Sequence, residues 1–391
     1  MKAKNVAVMV VVACLTPLCI VSGFAFGQDV SEANKKSEIT YDVIKKAWLA
    51  RQKTYSAAKL SLVQDVKRLK LMAAQGPHPE LNKIDPAMAE KLANAYDEYQ
   101  EKIQISIAGS RIHYCRNGMM PGEKGLLYSG KTQAACDGRT VMCFSDKNDE
   151  IPYPRGSIGQ NPQCDAEFMI DFEPIVWTFG NLDRTLLAQL GNTDITVTDA
   201  ILDSRLCIVL KTNGTGLWSG QANSYWLDPS KNYVVVRHTS ACGKLGAQLD
   251  CSYVQSGEGC WVPTEWTITA KYGNGGHHMD TPSYIVHAKV QESVVNPTFA
   301  QDEFTIKFPP GTIVSDVRPQ ARLSSGGEGY FFLVEKNGRQ RMIAPKEVRA
   351  LEKEADWWMR FRWGWILCCC ILIGLLTCVF LLRQRFRLKN A

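Results

Sequence analysis

The sequence predicts an α+β fold, an antiparallel sheet with one dry face covered by an N-terminal helix and followed by a membrane-spanning C-terminal helix. Three observations lead there. From Ile105 onward, short runs rich in Val, Ile, Thr, Tyr and Trp are separated by turn residues. Within those runs apolar and polar residues alternate. Trp363–Leu382 is an uncharged stretch of about the length that crosses a bilayer as a helix.

The chain opens with two lysines in MKAKN, an apolar run from Val6 to Val21, and SGFAFG with Ala25 and Gly27 at small-residue positions. Residues 1–27 are therefore expected to be a cleaved secretory signal peptide. In TYDVIKKAWLARQK, Thr40 is a plausible N-cap, and Ile39, Val43, Ile44, Ala47 and Trp48 fall at helical spacing, which puts Trp48 on a buried face. AKLSLVQDV reads as a strand, although Leu62, Val63 and Val66 could equally continue the helix. Next, Pro77 and Pro79 punctuate a loop, Asp85 caps, Pro86 takes a first helical position, and Met88, Leu92, Ala95, Tyr99 and Ile103 form a stripe. That pattern predicts a helical insertion at about 76–104.

Among the strands that follow, Trp266, Ile268 and Ala270 alternate with Thr267 and Thr269, and Val286, Ala288 and Val290 alternate with His287 and Lys289. Such a sheet has to bury its dry face, and the helix bearing Trp48 is the available cover. Val234, Val236, Trp266, Ile268, Val286, Ala288 and Val290 are assigned to that face as the candidate ligand-binding surface. DEFTIKF is read as a further strand.

YFFLVEKNGRQRMI is a hairpin around Asn337-Gly338, set apart as a small appendage. SSGGEG at 324–329 is a joint before it, and APKEVRALEKEADWWMRFRW a helix leading to the membrane, so 319–356 forms a membrane-proximal unit. Trp357, Trp358, Trp363 and Trp365 gather at the upstream edge of the span at 363–382, and Arg383, Arg385, Arg387 and Lys389 lie in the tail at 383–391. This pattern places the tail in the cytoplasm and the N-terminal domain outside, as a single-pass membrane protein.

Of fourteen cysteines, two leave with the signal and four lie in the anchor. The remaining eight, Cys115, Cys136, Cys143, Cys164, Cys207, Cys242, Cys251 and Cys260, are expected to form disulfides in an exported domain. None makes a C-x-x-C pair, which argues against zinc.

The formal charge of +6 is spread thinly, with no basic stripe interleaved with aromatics, so nucleic acid is not an expected partner. No nucleophile elbow, zinc-protease or phosphate-loop signature occurs. In GLWSG, Ser219 stands one place too late for a nucleophile. His277-His278 with Asp280 reads as a solvated turn, and His113, His238 and His287 as ordinary strand residues. Asp146 with Asp149-Glu150 reads as loop solvation. No catalytic residue, metal or cofactor is expected.

AWLARQ with Trp48, YWLDPSKNYVVVR around Asp228-Pro229, WVPTEW with Pro263 and Trp266, and NPTFAQDEFTIKFPPGTIVSD with Asn296, Phe304, Pro310 and Gly311 follow one another in a recognisable order over about 38–318. That order resembles the LolA/LolB-type and RseB-type family of bacterial envelope proteins. The resemblance implies an antiparallel half-open β-barrel wrapped on helices, built by residues 28–318, that can hold a lipid-like ligand. FPPGTIVSD would then mark where the last strand leaves the half-barrel, with Pro309-Pro310 refusing further ladder donation. The membrane anchor and the eight exported cysteines depart from the family.

Three functions stay open. One is a membrane-anchored envelope protein binding a lipid or lipoprotein-like hydrophobe. The second is a non-enzymatic sensor or scaffold relaying through an envelope protein partner, its aromatics being core. The third is a hydrolase of envelope material.

Overall fold

A computed structural model describes residues 38–69, 96–121, 127–147, 153–160, 170–179, 190, 195–213, 222–242, 245–271, 282–318 and 330–351, with isolated positions from there to 377. The predicted signal peptide, residues 76–95 of the predicted insertion, the 324–329 joint, Ser219, His277, His278 and the basic tail lie outside them. So does the predicted span, apart from Ile373 and Thr377. Among the described residues, no helix is long and apolar enough to cross a membrane.

The described residues are mostly strand. Among the described residues sixteen strands form one sheet, in the order β16 (Gln340–Ile343), β15 (Tyr330–Val334), β14 (Ile313–Asp316), β6 (Arg155–Gly159), β5 (Val141–Ser145), β4 (Leu127–Cys136), β3 (Arg111–Pro121), β2 (Tyr96–Ala108), β1 (Ala57–Leu69), β13 (Tyr284–Val295), β12 (Trp261–Lys271), β11 (Leu245–Gln255), β10 (Val234–Cys242), β9 (Ala222–Asp228), β8 (Arg205–Asn213) and β7 (Thr196–Leu202), so the sheet is open, with β16 and β7 at its edges. β1 (Ala57–Leu69) lies between β2 (Tyr96–Ala108) and β13 (Tyr284–Val295), antiparallel to both. Its reading as a strand is correct. The helical insertion is corrected at 96–104, which belongs to β2. Ile103, Ile105 and Ile107 are all buried at period two, and the whole of β2 pairs with β1, an arrangement that a helical stripe through Tyr99 and Ile103 cannot satisfy.

Helix α1 (Tyr41–Thr54) packs on the inner face through Ile44, Trp48 and Arg51, spaced four and three residues apart. Trp48 is fully buried, as expected, and its Nε1 donates to the Tyr233 carbonyl at 2.6 Å. Val43 belongs to the exposed side instead. The buried Arg51 donates to the carbonyls of Asn232 (3.2 Å) and Trp177 (3.3 Å), tying α1 to two distant segments. Desolvation lowers its pKa from the usual guanidinium value. Arg51→Met is expected to lower stability by about 2–3 kcal/mol, since it removes charged hydrogen bonds and strands two carbonyls, and the shift of the urea midpoint measures it.

The Asp228-Pro229 turn forms as predicted between β9 (Ala222–Asp228) and β10 (Val234–Cys242). Asp228 accepts from the Ser230 amide at 3.0 Å and hydroxyl at 2.6 Å. Asn232 and Tyr233 then take positive φ (56° and 59°), which aims the Tyr233 carbonyl where Trp48 meets it.

After β13 the chain crosses the outer face. Asn296 donates its side-chain amide to the Thr54 carbonyl at 3.1 Å. Glu303 accepts from Ser106 (2.5 Å) and Lys59 (3.2 Å). Ile306 packs on Ala135 and Phe144. DEFTIKF is therefore not a strand. FPPGTIVSD is likewise no exit. Gly311, at φ 87°, turns the chain, and Ile313–Asp316 re-enters the sheet as β14, parallel to β6 (Arg155–Gly159) and antiparallel to β15 (Tyr330–Val334). The hairpin of β15 and β16 (Gln340–Ile343) consequently extends the same sheet. Of its two turn residues only Gly338 has positive φ (79°).

The disulfide expectation is corrected at four cysteines. Cys115, on β3 (Arg111–Pro121), Cys207, on β8 (Arg205–Asn213), Cys251, on β11 (Leu245–Gln255), and Cys260 are thiols. Cys207, Cys251 and Cys260 sit in the apolar core, where a thiol packs as a small hydrophobe. Burial raises all four thiol pKa values, that of Cys260 to about 11. Cys136 and Cys143 are on neighbouring strands out of register, opposite Val141 and Ala134. Cys164 and the Cys242 side chain lie outside the described residues.

Candidate functional site

The register places the predicted apolar residues side by side. Val286 on β13 pairs with Ile268 on β12 (Trp261–Lys271), and Ala288 pairs with Trp266. These four are at most 4% exposed, Val234 and Val236 on β10 are buried, and Val290 is half-buried. All seven belong to one apolar cluster.

A short cover lies over this face, namely a 3-10 turn (Ile170–Phe172) running into helix α2 (Glu173–Phe179). Pro174 to Phe179 are buried. The Trp266 indole donates to the Asp171 carbonyl at 2.8 Å, and the Tyr284 hydroxyl donates to the Asp171 carboxylate at 3.0 Å. Trp177 meets Tyr225 and His238 edge-on, and those two rings stack 4.4 Å apart.

The same lateral row continues into polar side chains. Going from β11 to β3, Cys251, Trp266, Ala288, Gln64, Glu101 and Gly118 lie opposite one another in register. Gln64 and Glu101 are 0% and 1% exposed; the Gln64 side chain hydrogen-bonds Asp171, and the Glu101 carboxylate has no hydrogen-bond partner. Arg116 on β3 approaches Glu101 at 3.3 Å and Asp171 at 3.7 Å as ion pairs. Gly118 is required beside Glu101, because a Cβ there would meet the Gln100 carbonyl at 2.6 Å.

Two carboxylates thus share one guanidinium in a desolvated place. Burial pushes Glu101 up to about 7, opposed by Arg116 and reinforced by Asp171. Burial also raises Asp171, against the pull of Arg116 and the Tyr284 hydrogen bond. Burial works against the Arg116 charge, but the two carboxylates outweigh it and its pKa rises. Glu101 can therefore exchange a proton near neutral pH.

Sequence reasoning found the apolar half of this surface and missed Gln64, Glu101, Arg116, Asp171 and Tyr284. The available signal was a break in alternation. Gln64 falls in the buried series Leu60, Leu62, Val66, and Glu101 falls in line with Ile103, Ile105 and Ile107.

The histidines read as ordinary strand residues have local partners. His287 lies 3.0 Å from Glu265 and 3.1 Å from Thr267, and His238 lies 3.5 Å from Glu173. A cavity of about 210 Å³ has Arg237, Asp250, Glu265 and Thr267 in its lining, which alternate with buried residues. Its charges are engaged locally, Arg237 with Asp250 and Glu265 with His287.

No protein-family model matches the chain, and no curated protein matches it. Among solved structures it is similar to an outer membrane lipoprotein-sorting protein domain from Vibrio parahaemolyticus, at 11% identity and a TM-score of 0.38, covering 67% of this chain and 94% of that one. It is also similar to MucB in complex with MucA(peri), at 8% identity and a TM-score of 0.15, covering 63% and 93%. A third, PNGF-II, is 6% identical with a TM-score of 0.20, and only 33% of that chain is covered.

Proposed function

We propose that the chain is a non-enzymatic, membrane-anchored envelope protein whose open sheet accepts a hydrophobic ligand, a lipid or lipoprotein-like chain, on the face formed by Val234, Val236, Trp266, Ile268, Val286, Ala288 and Val290. The register carries the reading: three strands separated in sequence put an apolar surface on one side of an open sheet, under a cover of ten residues (170–179). Concave apolar surfaces with few polar groups suit such ligands. A ligand would reach the face at the Val290 end or by displacing the cover.

Burial favours a second reading. With six of the seven residues at most 6% exposed, the face also serves as packed core, which suits a sensor or scaffold acting through a partner. Native mass spectrometry of the full chain, extracted from its own envelope and stripped of detergent in the gas phase, separates the two. A retained hydrophobe at defined stoichiometry is the expected result. A bare chain that also takes up no added fatty-acid probe would establish the scaffold.

A further inference from the structure

We propose that Gln64, Glu101, Arg116 and Asp171 form a binding site for the primary ammonium head group of an amphiphile whose chain lies on the adjoining apolar face. The inference rests on the reading above that a hydrophobe occupies that face, and it adds the chemistry of the head.

Three observations converge. First, buried polar atoms are nearly always paired, yet both Glu101 oxygens lack hydrogen bonds, while the neighbouring Gln64 side chain is tied to Asp171. Both oxygens are acceptors, and an ammonium brings donors. Second, the described residues that pair with these carboxylates supply one cation, Arg116, for Glu101 and Asp171. With both ionised the cluster carries one excess negative charge, which is costly in a desolvated place unless a further cation arrives.

Third, the register joins the site to the apolar face without interruption. Trp266 and Glu101 lie in one row, separated by Ala288 and Gln64. Three strand spacings amount to roughly 14 Å. Ala288 and Gly118 flank Gln64 and Glu101 in this row.

Groups facing Glu101 are Arg116 and Tyr114 from β3, Asp171 from the 3-10 turn and Tyr99 from its own strand. Burial raises both tyrosines, so they stay neutral, and Arg116 stays charged. Glu101 loses its proton as pH rises through about 7. An ammonium ligand is still protonated there, so its binding strengthens with pH.

The test is photocrosslinking of the full chain with three probes sharing one diazirine-bearing alkyl chain and ending in a primary ammonium, a carboxylate or an alcohol. Labelled peptides are mapped by mass spectrometry. At about pH 8 the ammonium probe should label β1, β2, β12 and β13 roughly tenfold more than the carboxylate probe, with the alcohol between them. In wild type, the ammonium-to-alcohol ratio should fall several-fold on going down to about pH 6, where Glu101 is protonated. Glu101→Gln should bring that ratio to near one at both pH values, and melting temperature reports whether the variant folds. Should it not fold, the wild-type pH profile decides alone. Equal labelling by all three probes, or a ratio independent of pH, overturns the ammonium site and leaves the hydrophobe reading standing. No labelling of these strands by any probe overturns both.

Discussion

Trp266→Asp is expected to abolish stable folding. Trp266 is 1% exposed at the centre of the inner face, between Cys251 on β11 and Ala288 on β13, and its indole donates to the Asp171 carbonyl at 2.8 Å. The substitution removes the hydrogen bond from the sheet to its cover at Asp171, and buries a carboxylate with no partner beside an acceptor oxygen and a second carboxylate. Unpaired buried charge combined with a cavity exceeds about 4–5 kcal/mol, which is comparable with the whole stability of many domains. Trp266→Phe should cost only about 1–2 kcal/mol, chiefly through the carbonyl left unpaired. Thermal melts of the two variants and wild type check both values. An aspartate variant that stays folded and loses only hydrophobe uptake would show that this face is a cavity and not core.

Trp48→Ala is expected to lower stability by about 3–5 kcal/mol. The ring is fully buried between α1 and the β9–β10 turn, and losing it leaves a void together with an unpaired Tyr233 carbonyl. Neighbouring Arg51 cannot compensate, because its own donors are directed at Asn232 and Trp177. Trp48 and Arg51 share the attachment of α1, so the double variant should depart from additivity. Urea denaturation of the single and double variants measures this coupling, and strict additivity would mean that the two side chains hold α1 independently.

Local periodicity made much of the fold legible. Alternation at 266–270 and 286–290, the Asp228-Pro229 turn and the Asn337-Gly338 hairpin all correspond to structure, because turn chemistry and a half-buried strand each leave a short-range pattern. The second strand was lost to a competing period. Tyr99 and Ile103 are compatible with both a helical stripe and an alternating strand, and pairing along the whole of β1 decided the matter. With that strand misread, Glu101 could not be recognised as an inward-facing residue. Cysteine number suggested cross-links, whereas packing made Cys207, Cys251 and Cys260 part of the apolar core.

What the amino-acid order determined unaided was therefore the class of structure: one-faced antiparallel strands, a helix anchored by Trp48, and the apolar residues of the inner face. These depend on spacings of two to four residues, which a linear reading can see. Only the tertiary structure decided that β14 rejoins the sheet beside β6, that the segment after β13 crosses the outer face, and that Gln64, Glu101, Arg116 and Asp171 meet. Those contacts join residues far apart along the chain, and their energies come from register and desolvation, quantities that exist only once the strands lie next to one another.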